Sequence, residues 1–135
     1  MEKGKSSIVL LLLLLSAFLV LGWITNEKEL SMQAKQNTIV LLKFKAQAGK
    51  GKQAVAELTK LIEQVQGEPH FVSIKLHVDP NDNTNILLYE EWEDANYYNG
   101  AHMNTPYMKA FQANSVNFLG GPPEITFWKV ENTFE

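Results

Sequence analysis

Two runs of alternating character, HFVSIKLHV over residues 70–78 and NILLYEEWE over residues 85–93, flank the segment Asp79-Pro80-Asn81-Asp82-Asn83. Five turn-forming residues between two strand-like runs must return the chain on itself, so the centre of this protein is an antiparallel hairpin. A period of two puts His70, Val72, Ile74, Leu76 and Val78 on one face, and Phe71, Ser73, Lys75 and His77 on the other. The acidic residues of the turn lack the spacing and the terminal glutamate of an EF-hand, which makes the segment a hairpin loop rather than a calcium site. His70 and His77 fall on opposite faces, so no metal site is expected from them.

A hairpin of this kind needs cover, and the flanking sequence supplies it. Residues 38–46 (TIVLLKFKA) are rich in β-branched and apolar residues and end before Gly49 and Gly51, which predicts a first strand. In residues 52–66, Val55, Leu58, Leu61, Ile62 and Val65 recur at helical spacing, predicting an amphipathic helix that ends at Gly67. Asp94 is placed to cap a helix through Tyr97, Tyr98 and His102. Thr105 is placed to cap another over residues 107–118, with Pro106 at the first position, where its missing N–H costs nothing. Gly120-Gly121-Pro122-Pro123 breaks that helix, and residues 125–130 (ITFWKV) predict a last strand. The order β-α-β-β-α-β, with its second helical unit split at Pro106, predicts an α+β ferredoxin-like domain with helices on one face of the sheet.

Both sheet faces carry apolar or aromatic groups: Leu87 and Tyr89 oppose Leu88 and Trp92, and Trp128 opposes Phe127. Helices cover only one face. The other needs a partner, and a homodimer with two sheets packed face to face is the expected solution.

Upstream of residue 38 the pattern changes. Residues 1–7 are short and basic, and residues 8–24 are uncharged and nearly all apolar, slightly shorter than the roughly 20 residues of a spanning helix. Residues 1–24 therefore read as a signal peptide or a membrane anchor, residues 25–37 as a polar linker, and residues 38–135 as the folded domain. The lysines before the apolar run would stay in the cytoplasm. That predicts an exported domain, periplasmic or anchored to the inner membrane and facing outward.

Composition removes several function classes. All 12 basic residues are lysines and the formal net charge is -3. Without arginine forks or a basic field, nucleic acid is not an expected partner. The absence of cysteine excludes disulfides, zinc-thiolate sites and a thiol nucleophile.

The chemistry concentrates in residues 89–111, YEEWEDANYYNGAHMNTPYMKAF, where an acid pair, an indole, a histidine and several phenols converge. The run Tyr89-Glu90-Glu91-Trp92-Glu93-Asp94, His102, and Thr105-Pro106-Tyr107-Met108-Lys109-Ala110-Phe111 resembles the antibiotic biosynthesis monooxygenase family, in particular its small bacterial quinol monooxygenases. It is also similar to the related isomerase that processes a phosphorylated autoinducer. The resemblance spans about residues 38–130 and implies a dimeric α+β barrel. Each subunit would hold a pocket between sheet and helices that works on an aromatic or enolic substrate without metal, flavin or haem. Relatives that degrade haem carry a histidine and an asparagine where this chain has Gln112 and Leu42, which speaks against haem breakdown.

Within that resemblance, His102 is the expected base, since a neutral imidazole can take a phenolic proton and leave a phenolate electron-rich enough to react with dioxygen. Otherwise it is a histidine that holds the helix break together. Glu90 is either a second base, a group that fixes the tautomer of His102, or a buried strand glutamate. If its face meets the helices, Trp92 would wall the pocket beside His102 and stack on a planar substrate, or it would be core. Tyr107, Tyr98 and Phe111 would line or gate the pocket. Three functions follow: a cofactor-independent monooxygenase acting on a quinol and dioxygen, an isomerase using His102 and a carboxylate, or a non-catalytic module for a hydrophobic ligand.

Overall fold

The computed structural model describes residues 36–135; the expected leader and most of the expected linker lie outside these residues. Four strands and three short or medium helices follow in the order β1 (Thr38–Lys45), α1 (Gly51–Val65), β2 (Phe71–Val78), β3 (Asn85–Trp92), α2 (Ala95–Asn99), a 3-10 turn (His102–Asn104), α3 (Pro106–Ser115) and β4 (Glu124–Lys129). The sheet order is β2-β3-β1-β4 with every neighbouring pair antiparallel, which is the ferredoxin-like arrangement. Among the described residues no helix is long and apolar enough to cross a membrane.

Alternation along β1 and β3 decides where the core lies. Val40, Leu42 and Phe44 are buried and stand opposite Glu90, Leu88 and Ile86. From α1, Ala54, Leu58, Leu61 and Val65 close this face, with Val55 and Ile62 partly buried at the edges of the same stripe. Their spacing of four, three and four residues keeps one side of a 3.6-residue helix against the sheet. The turn after α3 folds Phe118 and Leu119 inward, so the helix ends at Ser115, short of the expected Phe118.

The hairpin forms, and the expected alternation holds from Ile74 onward, where Ile74, Leu76 and Val78 pair with Glu90, Leu88 and Ile86. At its start the expected parity is wrong. A bulge between Phe71 and Ser73 pairs Phe71 with Trp92 and leaves Val72 as the extra residue. One inserted residue reverses the alternation, so Phe71, not Val72, packs against the core, edge-on to Trp92 at 5.8 Å. In the hairpin loop the carboxylates are spent on the turn itself. Asp79 accepts from Asn81 N and Asn85 Nδ2, and Asp82 accepts from Thr84 N and Oγ1 and pairs with Lys45 Nζ at 2.8 Å.

This loop also sets a steric demand on α1. A Cβ at Gly51 would lie 2.4 Å from the carbonyl oxygen of Asn83 and 2.6 Å from its Oδ1. Gly51→Ala adds helix propensity of about 1 kcal/mol, but the obstacle is backbone and cannot swing away. The substitution is expected to lower stability by about 1–3 kcal/mol in urea unfolding. Gly67→Ala, whose Cβ would meet only Gln64 O at 3.7 Å, should be close to neutral.

The face turned away from the helices carries Leu41, Leu87, Tyr89 and Trp128, the last 57% exposed. Lys75 lies over the Tyr89 ring, with Nζ 5.6 Å from its centroid. On the helix-covered side, the outer strand β4 leaves Phe127 47% exposed.

Candidate functional site

The split second helix is built by two caps and a glycine. Asp94 accepts from the amides of Asn96 and Tyr97 and starts α2, which stops after five residues at Gly100. Thr105 caps α3, with Pro106 at its first turn. Between them the 3-10 turn leaves His102 pointing into the domain, where it is buried. Its ring lies against Tyr98, nearly parallel at a centroid distance of 4.9 Å, and against Trp92 at 4.7 Å.

Beneath these rings lies a residue that the sequence reading did not single out. Glu68 sits in the loop between α1 and β2, and its side chain is only 6% exposed. Both carboxylate oxygens approach His102 Nδ1, at 3.0 and 3.1 Å, and the Tyr107 hydroxyl donates to Oε1. The loop reaches this position through His70, a non-glycine residue at φ 66, in the sparsely populated left-handed region. The strained residue is held by Phe71 N donating to Glu68 O and Glu93 N donating to His70 O. Its ring packs on Tyr97 at 5.1 Å, and its Nδ1 lies 3.4 Å from the Glu93 carboxylate without forming a hydrogen bond.

On the other side of the indole is Glu90, buried on β3. Its Oε2 accepts from Trp92 Nε1 at 3.0 Å. Burial drives its carboxyl up to about 7; the Trp92 hydrogen bond opposes this and the charge of Glu68 adds to it. The surrounding phenols are held in their protonated form. Tyr107 is pushed up to about 12 by burial and by its bond to Glu68, Tyr98 is raised by burial and by Glu90, and Tyr97 by burial and by Glu68.

His102 and Glu90 both open onto a cavity of about 300 Å³ between sheet and helices. Leu42, Phe44, Leu61, Leu88, Met108 and Phe111 are among its apolar lining, and Tyr98, Gln112 and Ser115 also reach it. Gln112 and Leu42 are thus both cavity residues. With Nδ1 occupied by Glu68, Nε2 is the ring nitrogen of His102 left for a molecule in this cavity. Among the described residues no three His, Asp or Glu side chains converge to hold a metal ion.

Of the six residues expected at the site, His102, Glu90, Tyr98 and Phe111 line one cavity. Trp92 and Tyr107 do not line it. Trp92 is fully buried behind His102 and Glu90, because strand parity directs it inward beyond the end of α1, where the rings of Phe71, Tyr97 and Tyr98 enclose it. Tyr107 lies on the far side of His102, its hydroxyl taken by Glu68, and borders a separate shallow groove between α1 and α3. Glu68 escaped notice because nothing in the period of a loop marks a side chain that turns inward. The one available signal was its place between Gly67 and Pro69, directly ahead of the aromatic start of β2.

The same fold occurs in solved structures. A putative antibiotic biosynthesis monooxygenase from Nitrosomonas europaea superposes with a TM-score of 0.65 at 14% identity, covering 71% of this chain and 91% of that one. A conserved protein from Methanosarcina mazei gives 0.63 at 18% identity, covering 72% and 95%. A protein of Mycobacterium tuberculosis gives 0.63 at 16% identity, covering 73% and 99%. Among curated proteins, none matches the sequence. The sequence profile of the antibiotic biosynthesis monooxygenase family matches residues 38–114, from the first residue of β1 almost to the end of α3, and so takes in both His102 and Glu90. With more than half its length inside that match, the chain belongs to the antibiotic biosynthesis monooxygenase family.

Proposed function

We propose that this protein is a cofactor-independent monooxygenase that oxidises a quinol or a related small aromatic diol with dioxygen. The observation that carries the reading is the cavity itself: apolar walls, a histidine nitrogen at one polar point and, at another, a carboxyl that burial raises to about 7. An apolar pocket with few polar groups suits a flat aromatic ring and fixes its orientation. Nε2 of His102 takes the proton of a substrate hydroxyl, and the phenolate reduces dioxygen while the ring carbon forms a bond to oxygen. Loss of water from the peroxide, with Glu90 placed to supply the proton, leaves a carbonyl. The balance is one quinol plus one dioxygen giving one hydroxyquinone and one water.

Two further parts belong to the same proposal. The uncovered sheet face pairs with that of a second copy, burying Leu87, Tyr89 and Trp128. The apolar run over residues 8–24 directs the domain to the outer side of the inner membrane, within reach of lipid-borne quinols.

Dioxygen uptake with a panel of reduced quinols tests the reaction, since neither an isomerase nor a binding module consumes dioxygen. His102→Gln keeps a donor for Glu68 and cannot act as a base, so turnover should fall by about 10²–10⁴-fold while ligand binding persists. Undiminished uptake in this variant would remove His102 from the chemistry. No uptake by the wild type with any quinol would leave the isomerase or the binding module.

A further inference from the structure

Glu68 is a buried carboxylate at the site to which the proposed reaction gives no task, and its contacts are too specific for a loop staple alone. We infer that Glu68 is a positioning residue that keeps the ring hydrogen of His102 on Nδ1 and so presents the Nε2 lone pair to the cavity. The inference rests on the reading of His102 as the base.

A neutral imidazole has one donor nitrogen and one acceptor nitrogen, and an ionised carboxylate only accepts. The nitrogen that faces Glu68 therefore carries the hydrogen. Both carboxylate oxygens lie within 3.1 Å of Nδ1, so a small rotation of the carboxylate leaves that hydrogen bonded. Tyr107, arriving from α3, donates to Oε1 and holds the carboxylate from the other side. The ring is hindered from turning over by its packing against Tyr98 and Trp92, which themselves meet edge to face at 5.4 Å. Flip and tautomer, the two freedoms of a histidine, are thus fixed by different neighbours.

The opposite tautomer would aim an N–H at the substrate hydroxyl. It could then donate a hydrogen bond and could not remove a proton. In the serine protease triad, replacing the partner carboxylate by its amide leaves the geometry intact and lowers kcat by about 10⁴ through this error. The loop that carries Glu68 includes the strained, left-handed backbone of His70, a conformation that ordinary loop closure does not require.

The test is the ring-nitrogen 15N and N–H proton spectrum of the full-length chain, without substrate, in the wild type and in Glu68→Gln. The chain has three histidines, and the signals lost in His102→Gln belong to His102. In the wild type the hydrogen should be found on Nδ1. In Glu68→Gln, the amide oxygen keeps Tyr107 and the NH2 group faces Nδ1, so the hydrogen should move to Nε2 in most molecules. Quinol-dependent kcat should fall by about 10²–10⁴-fold with KM little changed. A wild-type hydrogen on Nε2 overturns the inference, and so does an unchanged Nδ1–H in a folded Glu68→Gln. If that variant does not fold, the wild-type spectrum decides alone. The spectrum involves no substrate, so its result is independent of whether His102→Gln abolishes dioxygen uptake.

Discussion

Glu90→Gln is expected to raise the free energy of unfolding by about 3 kcal/mol at about pH 8.5 and to change it little at about pH 4.5. The reason is the gap between the ordinary value of 4.5 for this carboxyl and the value of about 7 to which burial drives it. The folded state binds this proton more tightly than the unfolded chain. Its contribution to stability is therefore complete below pH 4.5, declines as the pH rises toward 7, and stays lost above that. Glutamine mimics the protonated acid at every pH: its oxygen still accepts from Trp92 Nε1, and its NH2 stands where the acid hydroxyl would be. For a domain of this size a gain of 3 kcal/mol corresponds to about 10–20 °C in Tm. Thermal unfolding of both proteins across that pH range is the measurement. Equal gains at both ends of the range would show that Glu90 is not held neutral by the fold, and would remove it as a proton donor to the cavity. The same substitution should slow turnover if Glu90 is the acid, so stability and activity would move in opposite directions.

The parts of this protein that could be read from its sequence are those governed by local rules. Thr105-Pro106 announced the start of α3 because a hydroxyl cap and a proline at the first turn satisfy groups within the same few residues. The alternation of Leu88, Glu90 and Trp92 put these residues on one face of β3, which is the face the helices cover, because a strand without a bulge keeps its period. The bulge at Phe71 and Ser73 was not legible, since one inserted residue leaves no mark on composition and reverses parity only by pairing with another strand. Trp92 shows the same limit. Its face could be inferred, but whether it borders the cavity or stands behind it depends on the rings of Phe71, Tyr97 and Tyr98, which reach it from three other places in the chain. For Glu68 the missing information was the left-handed turn at His70, which is held in part by a hydrogen bond from Glu93, just past the end of β3.

His102→Ala is expected to cost about 3–5 kcal/mol of stability, much more than His102→Gln. The alanine variant removes the donor opposite a buried carboxylate and leaves Glu68 with the hydroxyls of Tyr107 and Tyr97. Breaking a buried pair by deleting one partner is costly because the other charge stays behind without compensation. Glutamine restores a donor at Nδ1's position and fills part of the space against Trp92 and Tyr98, so its cost should be about 1 kcal/mol. A loss of this size is a large share of the 5–15 kcal/mol typical of a domain, and inactivity of His102→Ala would by itself say little about catalysis. The double variant Glu68→Gln with His102→Ala separates the causes. If the cost is the stranded charge, neutralising Glu68 recovers about 1–3 kcal/mol relative to His102→Ala in urea unfolding at neutral pH. If the double variant is no more stable than His102→Ala, the cost lies in the lost ring packing. In either case the glutamine variant is the one whose turnover reports on the base, because it holds the fold's requirement for a donor apart from the reaction's requirement for a lone pair.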